Sequence, residues 1–548
     1  MSRLGNIHKF YEKHVIYVLI LLILIQLFVV TIFGLYKESY HLDELFTFGL
    51  SNSYFITFIS YEDVSMKWLG PDFYNDYFTV QTNESFAYDS VYYNQVNDVH
   101  PPFYYYIIHT VCSFFPNMFS KWFGIGVNII FLAGTVVVLF LLARLINNKN
   151  SLALIICASY GFSAGAISNA VFIRMYMMLT FFTVLTTYLH GLLILKNKHI
   201  IAIIFLVMIV NILGFLTQYL FVVYAFFIVC GYVIYLVKNK KWGTMLIYTA
   251  AMLGCAIICI YLFPECIQHI FSGNRGIEAI NNFSKIGDFF IRILIFVLLL
   301  LISTSSLQVL LTTILATVFI CFKNSKISSN KSNRLFINVK NYFYSNLSNE
   351  KKFICIIVII STLLAFLIIS KIAPYYEYRY ISFLLPNINI FSIILIYIIF
   401  LNLLENKNYV MKLLIIIICG FTIISYLKGD IKYLYSDRSN DFEIIMSEYY
   451  SYDAYCFATK TENMTMVIPI ISHHDRSCYV ESAEDMLTML ENNRENNPIV
   501  IYFPRWDQEG TQDTTVLSKI IENSEYTSYI QLIGKEESGL STKIYLLK

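Results

Sequence analysis

Charged side chains are scarce in this chain: 14% of 548 residues, against 57% hydrophobic. An ordinary soluble enzyme carries nearer a quarter charged, so that class is excluded. The formal net charge is only +2, which offers no basic stripe to a polyanion, and no nucleic-acid partner is expected. No CxxC occurs, and the polar C-terminal region has no glycine-rich nucleotide loop, so a Rossmann cofactor site is not read there.

What the chain has instead is apolar runs of membrane-crossing length, about 20 residues for a 30 Å hydrocarbon core. They recur from residue 15 to about residue 427. The first, Val15 to Gly34, follows Arg3, Lys9 and Lys13 and lacks a small-x-small cleavage site before Tyr36, so it is read as an uncleaved anchor with its N-terminus inside. Basic clusters then orient the rest: Arg144 with Lys149, Lys196 with Lys198, Lys238 with Lys240 and Lys241, the 323–352 loop, and Lys407 with Lys412. All fall inside together if Phe103 to Phe115, short and ended by Pro116, is a juxtamembrane or re-entrant helix rather than a crossing. Eleven crossings follow: 15–34, 122–146, 151–172, 175–195, 200–217, 219–237, 243–263, 289–322, 353–371, 381–402 and 411–427. The expected fold class is therefore a polytopic α-helical membrane protein in the cytoplasmic membrane. Residues 1–430 form its membrane domain with an outer loop at 35–120. Residues 431–548 form a small outer α/β domain, with strand-like runs at Tyr455 to Ala458, Ile499 to Phe503 and Lys543 to Leu547. Nine of the eleven cysteines lie in or beside apolar segments; Cys456 and Cys478 do not, and a disulfide between them is expected if that domain is outside.

In so apolar a chain the polar islands are informative. Just after the first run comes His41-Leu42-Asp43-Glu44, where adjacent acids must point in different directions, so one of them faces any given substrate. A carboxylate at a partly dehydrated interface can serve as a general base. Asp98-Val99-His100-Pro101-Pro102-Phe103-Tyr104-Tyr105 follows in the same loop. Arg174-Met175-Tyr176 and Arg379-Tyr380 each occupy an outer turn before a run, and two arginines on the face of the acids suggest a clamp for phosphate oxygens. A divalent metal on His41, Asp43 and His100 would suit the ligand types but has no support from spacing.

The order of these pieces, an acidic pair after the first run, HPPFYYY, RMY, LTQY at 216–219 and RY before a late run, resembles the GT-C superfamily of membrane glycosyltransferases. Within it, the sequence is most similar to the bacterial glycosyltransferase family 39 relatives of protein O-mannosyltransferases and of the lipid A aminoarabinose transferase. The resemblance covers roughly residues 1–430, and SNAVFIRMY lacks the acid that such sequences often place before the arginine. It implies inverting transfer of a sugar from a polyprenyl-phosphate donor to a glycan, lipid or protein hydroxyl, with no nucleotide cofactor. Asp43 would be the base and Glu44 would orient it or hold the loop. His41, Asp98, His100, Tyr104, Arg174, Tyr176, Arg379 and Tyr380 would bind substrate. A lipid-linked oligosaccharide flippase or other transporter is the alternative of another class, but transporters place ionisable groups within the spans; an O-antigen-type polymerase or ligase is a second.

Overall fold

The structure, a computed structural model, describes residues 14–196, 198–285, 287–323, 347–404, 407–435, 441–458, 460–492, 497–504, 513–534 and 542–548. Helix α1 (Val15–Leu35) is apolar almost throughout, and its one amide, Gln26, is buried and donates to Cys157 O at 3.0 Å. The loop after it carries α2 (Leu42–Asn52), α3 (Tyr61–Val64), α4 (Pro71–Phe78), α5 (Tyr88–Val96) and α6 (Phe103–Ser113). Helix α6 has 11 residues, roughly 16 Å of rise and too short to cross. Then follow α7 (Lys121–Ile146), α8 (Asn150–Gly161), α9 (Ala164–Val171), α10 (Tyr176–Leu195), α11 (Ile200–Thr217), α12 (Leu220–Lys238) and α13 (Trp242–Leu262). After two short helices, α14 (Cys266–Phe271) and α15 (Asn274–Ser284), come α16 (Phe289–Ser303), α17 (Ser305–Lys323), α18 (Asn349–Ile372), α19 (Leu385–Leu404) and α20 (Lys407–Leu427).

Among the described residues nine helices are long and apolar enough to cross a membrane, or up to 11 if each of two bent pairs is one span. The chain is a multi-pass membrane protein. Two expected crossings differ in detail. The 151–172 run is the bent pair α8 and α9, at 54° to each other. The 289–322 run is not one helix: it breaks at Thr304, whose backbone is extended, within the hydroxyl run Ser303-Thr304-Ser305-Ser306. Such residues bond locally to the backbone and interrupt helices, as Ser303 Oγ does to Leu299 O at 2.7 Å. Lipid-facing helices such as α13 expose Ile257 and Tyr261. Polar groups inside the bundle bond across helices, as His190 Nε2 does with Tyr248 OH at 2.7 Å and Asn387 Nδ2 with Tyr224 OH at 2.9 Å.

Beyond α21 (Phe442–Ser447), the C-terminal region alternates β1 (Ala454–Phe457), α22 (Thr461–Ile471), β2 (Ser477–Val480), α23 (Ala483–Asn492), β3 (Ile499–Pro504), α24 (Asp513–Glu522), β4 (Tyr529–Ile533) and β5 (Thr542–Leu547). The sheet order is β2-β1-β3-β5-β4, parallel across β2-β1-β3 and antiparallel beyond. Alternation sends Tyr455, Phe457, Cys478 and Val480 into one core and Ala454, Cys456 and Tyr479 into another. The expected disulfide therefore fails. Cys456 pairs with Tyr479 and Tyr455 with Cys478, so the two cysteines, both free, face opposite sides of the sheet. The β2 edge is covered by the 35–120 loop, with bridges Ser65 to Tyr479 and Leu69 to Ser477, and Arg476 sits over the Trp68 ring at 4.5 Å.

Candidate active site

The site is built where the bundle's polar islands meet, starting from the first turn of α2. His41 caps that helix: its Nδ1 accepts from Asp43 N at 3.0 Å and the Glu44 carboxylate accepts from His41 N at 2.6 Å. This is a capping box with histidine in the serine position, and it places both acids where a helix N-terminus favours negative charge. Adjacent positions on a helix diverge by about 100°, so the acids part company.

Glu44 turns inward. It forms an ion pair with Lys37 at 2.9 Å and accepts from Ile173 N at 2.8 Å. Both side chains of the pair are 0% exposed, and Lys37 Nζ also donates to Tyr433 O at 2.5 Å. Glu44 thus binds α2, the turn before Arg174 and the segment after the last span to one another. Its oxygens are taken up in holding the loop.

Asp43 turns the other way, with its side chain 27% exposed, and pairs with Arg379. The Arg379 guanidinium lies 5.9 Å from the Phe172 ring and 5.3 Å from that of Tyr380. Tyr176 stacks on Phe172 at 6.0 Å and meets Tyr380 edge-on. Arg379 is set by a close approach just before it: a Cβ on Gly165 would stand 2.3 Å from Tyr378 OH.

Arg174 is enclosed. Its NH1 is ringed by Asp43 O at 3.2 Å, Thr47 Oγ1 at 3.1 Å and Tyr105 OH at 3.0 Å. Its NH2 lies 3.2 Å from His100 Nε2. A guanidinium only donates, so Nε2 accepts, and the proton on Nδ1 is donated to Asp98 at 2.8 Å. His100 is thereby a neutral imidazole held between an acid and a base. Tyr104, expected to line the pocket, is 0% exposed and donates to Asn128, which in turn donates to Phe172 O. Tyr105 is the tyrosine that reaches the arginine.

Burial pushes the Asp43 carboxyl up, but Arg379, then Arg174, outweigh it and hold it well below the usual carboxylate range. Burial likewise raises Asp98, and His100 more than reverses this. His41 is pushed down to about 4 by burial, against the pull of Asp43. At neutral pH the pocket therefore holds ionised carboxylates, guanidiniums and neutral imidazoles. Among the described residues no group of three His, Cys, Asp or Glu is placed to hold a metal ion.

Several residues here were not singled out in the sequence. Lys37 is ordinary near a membrane surface, and Tyr105 and Phe172 lie within HPPFYYY and SNAVFIRMY without being marked out there. The segment after α20 is more telling: Lys432 N donates to Ser168 Oγ at 2.8 Å, Leu434 O accepts from Glu38 N at 2.9 Å, and the Tyr433 ring stacks on Phe172 at 4.0 Å. Tyr433 and Tyr435 have φ of 67° and 53°, a left-handed conformation that costs bulky residues about 1–2 kcal/mol each.

Nine or more candidate spans among the described residues, a long polar loop after the first and a small C-terminal sheet give the chain the architecture of a GT-C-like fold, which solved structures share. Among solved structures it is similar to ArnT from Cupriavidus metallidurans. The crystal structure bound to undecaprenyl phosphate matches with a TM-score of 0.52 and 9% identity over 96% of this chain and 97% of that one. The apo structure matches with a TM-score of 0.50 and 10% identity over 98% of both chains. No known protein family and no curated protein matches the sequence.

Proposed function

We propose that the chain is an inverting glycosyltransferase that moves a sugar from a polyprenyl-phosphate donor to an acceptor hydroxyl at the outer face of the cytoplasmic membrane. The observation that carries this reading is the convergence of Asp43, Arg379 and the Arg174–His100–Asp98 chain in one pocket at the end of the spans. The likeness in fold to an ArnT crystal structure bound to undecaprenyl phosphate supports the donor class, and the basic clusters of the loops support the outer face.

Asp43 takes the proton of the acceptor hydroxyl as its oxygen attacks the anomeric carbon. The new bond to that carbon forms as the bond to the phosphate oxygen breaks, and the electron pair leaves on the phosphate. Arg379 faces the charge that grows there; a preorganised cation in a dry site is worth more than one in water. Arg174 fixes the backbone of Asp43, and His100, aligned by Asp98, fixes Arg174. A single part-open carboxylate suits one displacement, hence inversion. The acceptor is a cell-envelope glycan, lipid or protein. The test is transfer from synthetic polyprenyl-phosphate sugars by the purified chain in nanodiscs, alongside mass analysis of envelope glycans with and without the gene. A sugar lost from the envelope and moved in vitro is expected. Unchanged glycans with no turnover of any donor would overturn the reading.

A further inference from the structure

Two arginines enter this pocket, and their donors are used differently. Arg174 has both terminal nitrogens on framework partners, the backbone of Asp43, Thr47, Tyr105 and His100. It is fixed in place. Arg379 makes one ionic contact, from NH1 to a single oxygen of Asp43. Its NH2 has only a long contact to Tyr380 OH at 3.4 Å; its Nε, like that of Arg174, is buried without a hydrogen-bond partner among the described residues, so the difference between the two lies in their terminal nitrogens. A guanidinium presents a planar fork of donors suited to two oxygens at once, and here most of that fork is unengaged. The rings of Phe172 and Tyr380 beside it provide apolar surfaces on which the group can pivot while keeping its cation–π contacts. Its partner Asp43 is the half-open member of the pair, 27% against 7% exposed.

We propose that Arg379 is a donor-operated latch: in the empty site it neutralises Asp43, and the donor's phosphate draws the fork away, so that the base is released only in the loaded site. This inference rests on the lipid-phosphate reading above. A phosphate offers several anionic oxygens to a fork that Asp43 meets with one, so the exchange satisfies donors that are otherwise idle. Once its counter-charge has moved to the phosphate, the carboxylate binds a proton more readily, as its role requires. Donor binding and base activation become one event, and the acceptor is deprotonated only when there is a sugar to receive it.

Competition for one group is measurable as thermodynamic coupling. The probe is polyprenyl phosphate without a sugar, titrated onto the full-length chain in nanodiscs for wild type, Asp43→Asn, Arg379→Gln and the double variant. Releasing Arg379 by Asp43→Asn is expected to tighten binding by about 5- to 150-fold, the usual range of coupling between sites, and the gain should vanish when Arg379 is already absent. Simple charge repulsion between Asp43 and phosphate would also tighten binding, but equally with and without Arg379. That equality, or no tightening at all, overturns the latch while leaving the functional reading in place. Failure of wild type and every variant to bind the probe overturns the lipid-phosphate reading and this inference with it. Should Asp43→Asn fold poorly, Asp43→Ser, another good residue at a helix start, carries the same prediction.

Discussion

The first turn of α2 carries two carboxylate–cation pairs on neighbouring residues, and they have opposite fates. Lys37 with Glu44 is wholly enclosed and bound at every oxygen, whereas Asp43 with Arg379 stands at a pocket wall with 27% of the acid exposed. A sealed ion pair has nowhere to send its charge and acts as a bolt. An open one can exchange partners, and so can do chemistry. The contrast shows that surroundings, not the residue type, divide structural acids from reacting ones.

If this division holds, breaking the sealed pair should have the larger effect on folding. Glu44→Gln leaves the Lys37 ammonium buried without a counter-charge, which typically costs about 3–5 kcal/mol, and should appear as a large drop in melting temperature and yield in detergent. Replacing both partners, Glu44→Leu with Lys37→Met, should recover part of that loss but not all, because Ile173 N and His41 N also lose their acceptor. The open pair should behave in reverse. Asp43→Asn is expected to lower turnover by roughly 100- to 10,000-fold while the melting temperature stays within about 4 °C; a collapse in stability would erase the distinction. Arg379→Lys keeps the charge and loses the fork, so turnover should fall by about 10- to 100-fold, the value of a charge-assisted hydrogen bond, and lie between wild type and Arg379→Ala.

A separate effect concerns pH. His41 has a folded pKa of about 4, below its unfolded value near 6.5, so between those values the unfolded chain binds the extra proton. The stability this group contributes is complete above pH 6.5 and is lost as pH falls towards 4, by up to about 3 kcal/mol. His41→Asn keeps a capping acceptor and removes the titration, and melting curves across this range should become flatter.

Much of the pocket was visible in the sequence because charge is rare there: Asp43, His100, Arg174 and Arg379 stand out against apolar surroundings, and the structure brings them together. The strand-like runs around Tyr455, Ile499 and Lys543 were likewise legible, as short runs that alternate with polar helix-like stretches. What was hidden depends on phase and on long-range partners. Motif position does not tell which of Tyr104 and Tyr105 points at the arginine, since one step around a helix decides it. The division between Asp43 and Glu44 depends on Lys37 and Ile173. Strand β2 is four residues long, too short for a clear pattern, and a one-residue offset against β1 parts two cysteines that look like a pair. The 289–322 run is too long for one upright helix, and its hydroxyl residues 303–306 mark the place where it breaks.

The segment 431–435 seemed in the sequence to be the start of a separate domain, yet Tyr433 closes one side of the pocket and its carbonyl holds Lys37. This sets a limit on modularity. A chimera that grafts a foreign C-terminal sheet onto this bundle at residue 430 would take away a wall of the pocket together with the sheet. A junction placed after Tyr435 would leave the wall behind, and so would a recombination breakpoint in the gene.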